Sequence, residues 1–408
     1  MRALAARLLP WTLGLWAVGV QVHELPATVG AWATALGALV TAWPVSRWRP
    51  WALLLAFVGA SLLLPVLGGH GPTPTGLARL ADWLLVPAAA VAVRAVSARA
   101  LQQVGGAAAI ALLASVAVAA CQHFGAWPAL EVFAPLRGTH LGFERVYEPV
   151  PGEGDRYMAG GLLLHRLKFA NVTSVVCTLG AAAVAARVTR WRRYAVATLV
   201  GLAGLAWFPH ARAASVVGLG SVAVVLLAGA PDRRRAWGTV LGLVAASLAL
   251  GLGVPSLRER LANAPEASAL RRALVSTGLE AIREEPLTGV GLGRFEPGRF
   301  APPDAPESVK HHGGKAHDQF VTIAAEAGLP AALVLLAALV AWARRGLSAL
   351  PRGALAVGGV ALFVGLSLLH DPLVHPECSL ALMLVLGAGA GLADHDTRVP
   401  QERPEPAS

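Results

Sequence analysis

Apolar runs close to membrane-spanning length recur along the whole chain, separated by short polar breaks. A helix rises about 1.5 Å per residue, so about 20 apolar residues cross a hydrocarbon layer of about 30 Å. The runs fall at 8–22, 27–44, 51–68, 79–96, 104–122, 169–187, 194–209, 214–230, 237–253, 318–342, 354–370 and 377–393. They predict an all-α polytopic membrane protein with about twelve transmembrane helices. Residues 1–393 then make a single transmembrane domain, and 394–408 make a polar, disordered cytoplasmic tail. Polar residues gather in two long loops, 123–168 and 254–317, and the second carries a short amphipathic helix over 267–284, ended by Pro286. Loops of that size on a membrane scaffold are where function is expected.

Charge sharpens this picture. Of the 408 residues, 55% are hydrophobic and only 14% charged, well below a soluble protein's share. The basic residues sit in every second break: Arg2 and Arg7, Arg47 and Arg49, Arg94 and Arg99, Arg187 to Arg193, Arg233 to Arg235, and Arg344, Arg345 and Arg352. Short loops rich in Lys and Arg face the cytoplasm, which places both termini there and both long loops outside. The net charge of +10 is thus largely an orientation signal and an attraction for anionic membrane lipids. No basic face is interleaved with aromatic residues, so no nucleic acid is expected as a partner. Cys121, Cys177 and Cys378 give neither a disulfide framework nor a zinc spacing.

Candidate chemistry collects on the outward side. Arg212 lies in the very short turn PHARAAS, where the orientation pattern leaves no place for a lone cation unless a negative group needs it. Arg271 and Arg272 ride the short outer helix, and their planar guanidinium groups suit bidentate phosphate binding. His317 opens the tenth apolar run and can serve as a base near neutral pH. Glu326 lies nine residues further on, inside the apolar run, where a carboxylate requires a partner from a neighbouring span or an outer arginine. Gly328 and Pro330 then bend or break that span. Most histidines fall outside because neutral imidazole escapes the rule that sorts Lys and Arg. No pair has HxxxH or HExxH spacing, so no metal and no cofactor is expected. The segment GVGLGRF has no preceding strand, so it reads as a tight turn and not as a nucleotide loop.

These residues together resemble the O-antigen ligase/polymerase superfamily. The specific part runs from Arg271 through Pro286, the turn Gly289-Val290-Gly291-Leu292-Gly293-Arg294-Phe295, and His317-Asp318 to Glu326-Ala327-Gly328. Arg212 fits the family's outer-turn arginine, although Ala211 stands before it in place of serine. Arg156 with the segment GGLLLHRLKFA, which includes His165, fits an upstream pattern. Asp318 stands where the family most often has Asn, Ser or Gln. The resemblance implies metal-independent, inverting glycosyl transfer on the periplasmic face of a bacterial inner membrane. The donor would be a glycan on undecaprenyl diphosphate, and the acceptor lipid A-core or another glycan. Arg212, Arg271 and Arg272 would bind the diphosphate and His317 would be the base. Glu326 would orient the site, and Arg156, His165 and Asp318 would contact substrate. A polymerase of the same superfamily is the alternative, followed by glycan transfer to protein. A lipid or solute transporter fits less well, because the spans lack midplane charges and repeat symmetry.

Overall fold

The computed structural model describes residues 1–42, 51–125, 148–150, 153–253, 264–303, 305–311 and 313–394. Arg47, Arg49, His140, His312 and nearly all of the predicted tail lie outside them. The helices are α1 (Arg2–Gly19), α2 (Glu24–Ala42), α3 (Ala52–Leu67), α4 (Pro74–Ala81), α5 (Leu85–Ala95) and α6 (Ala98–His123). They continue with α7 (Arg166–Ala185), α8 (Trp191–Trp207), α9 (Arg212–Gly229), α10 (Arg233–Gly253) and α11 (Ala264–Glu284). The last are α12 (Pro297–Phe300), α13 (Glu307–Lys310), α14 (Gln319–Ser348), α15 (Ala354–Leu369) and α16 (Pro376–Ala393). Each apolar run of the sequence coincides with a helix, the fourth with α4 and α5 together.

Six helical segments among the described residues are long and apolar enough to cross a membrane: Pro74–Ala95, α6, α7, α9, α14 and α16. α3 and α15 are shorter apolar helices. The chain is an all-α membrane protein. Its one sheet among the described residues is a small antiparallel hairpin in the first long loop, β1 (Glu148–Val150) and β2 (Glu153–Met158), which pairs Val150 with Glu153. The outer helix predicted over 267–284 begins slightly earlier, at Ala264, and ends before Pro286 as expected.

α16 is the centre of the assembly, with 78% of its apolar window buried inside the protein. Lipid is as apolar as a leucine side chain, so helices in a membrane associate through close packing and small residues. α16 follows that rule. A Cβ at Gly387 or Gly391 would run into the Val86 or Ala90 carbonyl of α5, at 2.4 and 2.6 Å. Trp16 of α1 donates its indole N–H to the Leu380 carbonyl at 3.2 Å. Trp83 stands edge-on to Phe57 and Phe363, with ring centres 5.3 and 5.4 Å away, and so joins α3, the α4–α5 link and α15.

The junctions that carry the polar residues meet at one end of this assembly. The backbone N–H of Ala159, just past the hairpin, donates to Phe208 at the α8–α9 turn. Lys168 at the start of α7 pairs with Glu377 at the start of α16, N to O 2.8 Å. At the far end, Arg94 and Arg345 both reach Asp394, at 3.6 and 2.6 Å.

Candidate active site

The start of α14 is built by capping. Asp318 is the N-cap, and its carboxylate accepts from the backbone N–H groups of Phe320 and Val321 at 2.9 and 3.1 Å. The family's Asn or Ser at this position caps a helix in the same way, so the substitution preserves the local structure. His317, one residue earlier, holds a left-handed backbone with φ 57°. Non-glycine residues seldom do so, and such strain persists only where the surroundings fix it. Here they do. The carboxylate of Asp371 accepts the His317 backbone N–H and, at 2.6 Å, the Thr322 hydroxyl. Thr322 in turn accepts the Ala316 N–H at 3.0 Å, and the Leu373 N–H donates to the Gln319 side chain at 3.2 Å. The α15–α16 junction therefore clamps the residues on both sides of His317.

Around that clamp lies a row of imidazoles. His317 stacks on His370 with ring centres 5.3 Å apart and planes 11° from parallel. His375 lies 6.2 Å from His370, and His165 lies 5.4 Å from His375. Burial pushes the His370 imidazole down to about 2, helped by the charges of His317, Lys315, His375 and Arg271. Burial also raises the Asp371 carboxyl to about 6, against the opposing hydrogen bond from Thr322. Arg271 is half-buried and near enough for its charge to bear on His370, whereas its neighbour Arg272 is exposed.

A second group holds the other outer residues. Arg156 of β2 lies over the Phe124 ring, 4.5 Å from its centre. Trp207 donates its indole N–H to His123 Nε2 at 3.4 Å. His123 Nδ1 therefore carries the proton, which it donates to the Tyr157 carbonyl at 2.8 Å. His123 also stacks on His210, 6.2 Å centre to centre, in the α8–α9 turn that ends at Arg212. Arg212 is half-buried and opens α9. The structure thus brings His317 and His165 together through His370 and His375, with the charge of Arg271 felt at His370, and sets Arg156 on the aromatic hairpin side, with Arg212 following the turn that carries His210.

Glu326 belongs to neither group. Its partner is Arg79 of α4, at 3.6 Å, with both side chains largely buried. The backbone N–H groups of Gly293 and Phe295 also donate to its carboxylate. The glycine turn is pressed against this point. Val290 and Gly291 donate to the Ala325 and Glu326 carbonyls at 2.8 and 3.0 Å, and Thr73 donates its N–H and its hydroxyl to Leu292. A Cβ on Gly289 would sit 2.5 Å from the Glu326 carbonyl carbon. The turn therefore joins the head of α4 to the break in α14.

With this geometry in place, the comparison with known families can be set beside it. Residues 162–336 match the family model described as O-antigen ligase. That segment, somewhat under half of the chain, is similar to the O-antigen ligase family, in agreement with the motifs read from the sequence. No curated protein matches it. The match implies a glycosyltransferase-like enzyme with a lipid-linked glycan and an acceptor as its general substrates. The matched O-antigen ligase segment contains His165, Arg212, Arg271, Arg272, His317, Asp318 and Glu326. It stops short of His370, Asp371 and His375, and it begins after Arg79 and Arg156.

Three of the residues that complete the site escaped the sequence. Arg79 falls on the first position of an apolar run and reads as part of its end. His370 and Asp371 sit about 50 positions beyond His317, so no spacing rule links them. The signal that was present is the rarity of charge inside the spans: Glu326 demanded a cation, and Arg79 is the ionisable residue that apolar run begins with.

Proposed function

We propose that the protein transfers a glycan from undecaprenyl diphosphate to an acceptor hydroxyl at the periplasmic face of a bacterial inner membrane. In this reading twelve helices span the membrane with both termini in the cytoplasm. The observation that carries it is the fixed placement of His317 inside the family-matched segment, stacked on His370 and at the mouth of α14.

His317 removes the proton from the acceptor hydroxyl as that oxygen attacks the anomeric carbon from the face opposite the diphosphate. The bond from the anomeric carbon to the phosphate oxygen breaks, and the configuration inverts. Negative charge builds on the departing undecaprenyl diphosphate, where Arg271 and Arg212 neutralise it and Arg272 steers the anion from the surface. Glu326 orients the site at one remove, by holding the glycine turn. Arg156 and His165 contact the bound glycans. Charge compensation by arginine requires no metal ion. Lipid A-core is the acceptor in the ligase form of the reaction, and a second lipid-linked glycan in the polymerase form.

Gene deletion in the native host, with wild-type and His317→Ala complementation, tests this. The surface glycan is resolved by size and the lipid-linked pool is measured. Long chains held on the lipid carrier beside a bare acceptor are expected in the deletion and with His317→Ala. Single repeats still joined to the acceptor would make it the polymerase. Full transfer by His317→Ala at normal expression sinks the assignment.

A further inference from the structure

We infer that His317, His370 and Asp371 form a binding site for a divalent cation of the zinc class, and that its occupation switches the enzyme off. One ligand atom from each of the three lies within 4.8 Å of the others. Two of those side chains carry atoms that the fold leaves unused. His370 Nε2 and Asp371 Oδ2 are buried and have no hydrogen-bond partner among the described residues. Asp371 is fully buried, and its other oxygen is held by Thr322 at 2.6 Å. An unused imidazole nitrogen and an unused carboxylate oxygen in one buried spot are costly, and a cation removes that cost for both.

The donor set selects the ion. Two imidazoles and one carboxylate suit Zn²⁺, Co²⁺ or Ni²⁺, whereas Mg²⁺ and Ca²⁺ favour sites made wholly of oxygen. Ligands at about 2.0–2.2 Å from tetrahedral zinc stand roughly 3.3–3.5 Å apart, so the trio must contract by about 1.5 Å at its widest. The near-parallel rings of His317 and His370 must also tilt to aim both lone pairs at one point. His317 is half-buried, less enclosed than the fully buried Asp371, and its ring is the one that must move. The Thr322 bond fixes Asp371 from outside the ligand set, as supporting hydrogen bonds do in metal sites. Lys315, His375 and Arg271 bring positive charge to the same place and hold the affinity below that of a dedicated structural zinc site.

The inhibitory part rests on His317 being the base of the proposed transfer. A cation that takes its lone pair leaves it unable to accept the hydroxyl proton. Catalysis in this scheme needs no metal, and free zinc suppresses it.

The binding part is read without any glycan. The full-length protein in detergent or nanodiscs is titrated with Co²⁺ and followed by visible d–d absorption, and Zn²⁺ then displaces the cobalt. His370→Ala and Asp371→Asn are expected to weaken binding at least about tenfold. His311→Ala, an exposed histidine paired with Glu307, leaves it unchanged. A second readout needs no variant: Zn²⁺ should shield His317 and His370 of the wild-type protein from histidine acylation, mapped by mass spectrometry, and leave His311 reactive. Absent cobalt absorption, or shielding that ignores His317 and His370, overturns the site. Cobalt binding without zinc inhibition of transfer overturns the switch alone. If His317→Ala still transfers glycan while cobalt binds the wild type, the base assignment fails and the cation site stands.

Discussion

Gly328 has φ 83° and ψ 158°, a conformation open to glycine and closed to other residues. It interrupts α14 two residues after Glu326. Its Cβ, if it had one, would lie 2.2 Å from the Leu287 carbonyl oxygen. Gly328→Ala should therefore cost about 1–3 kcal/mol from the backbone alone, with the clash added. Gly59→Ala is the matched control, since a Cβ there meets nothing within 4 Å and its helix gains propensity. Thermal unfolding in detergent should show a clear loss for Gly328→Ala and none for Gly59→Ala; equal shifts would remove the special role of the break. The break was legible, because Gly and Pro punctuate the apolar run at 328 and 330. Asp318 was legible as a polar residue before that run, but its work is local. Asp318→Asn should keep stability and Asp318→Ala lose about 1 kcal/mol, measured the same way.

Between elements, the pairing of α4 with α14 through Arg79 and Glu326 carries the glycine turn. Two buried charges at 3.6 Å, each with one atom that has no hydrogen-bond partner among the described residues, are held by their mutual attraction and, on the Glu326 side, by the backbone N–H groups of Gly293 and Phe295. Removing one partner strands the other in a low-dielectric interior, which costs about 3–5 kcal/mol, whereas replacing both with apolar or neutral groups of similar size is often close to neutral. Arg79→Met and Glu326→Gln should each destabilise the protein strongly, and the double variant should recover most of the loss. Additive losses in that cycle would mean that the pair is not coupled. The sequence showed that Glu326 needed a cation, and the outer arginines were reasonable candidates. It could not show that the head of a helix some 250 positions earlier folds back onto it. That approach is set by Thr73, Gly76 and Leu292, whose atoms fit only because Gly76 and Gly293 lack side chains.

At the scale of the whole molecule, hydrophobic runs were enough to locate the apolar helices, and six segments among the described residues have the length and apolarity that a membrane demands of a span. Proximity between junctions was not legible. The row from His317 to His165 joins three breaks in the chain, and only folding brings them together. The same logic makes the topology testable. If junctions alternate between sides, the loop before α14 and the turn after it lie on opposite faces. Gly313 has open space around it in that loop, and Ser348 ends α14 with an exposed side chain. Cys177 and Cys378 are buried, so replacing the half-buried Cys121 leaves a quiet background. In that background Gly313→Cys should react with a membrane-impermeant maleimide on intact spheroplasts, and Ser348→Cys only after permeabilisation. Labelling of both from outside would break the alternation. Reversed labelling would move His317 and the arginines to the cytoplasmic face, away from any glycan already carried across the membrane.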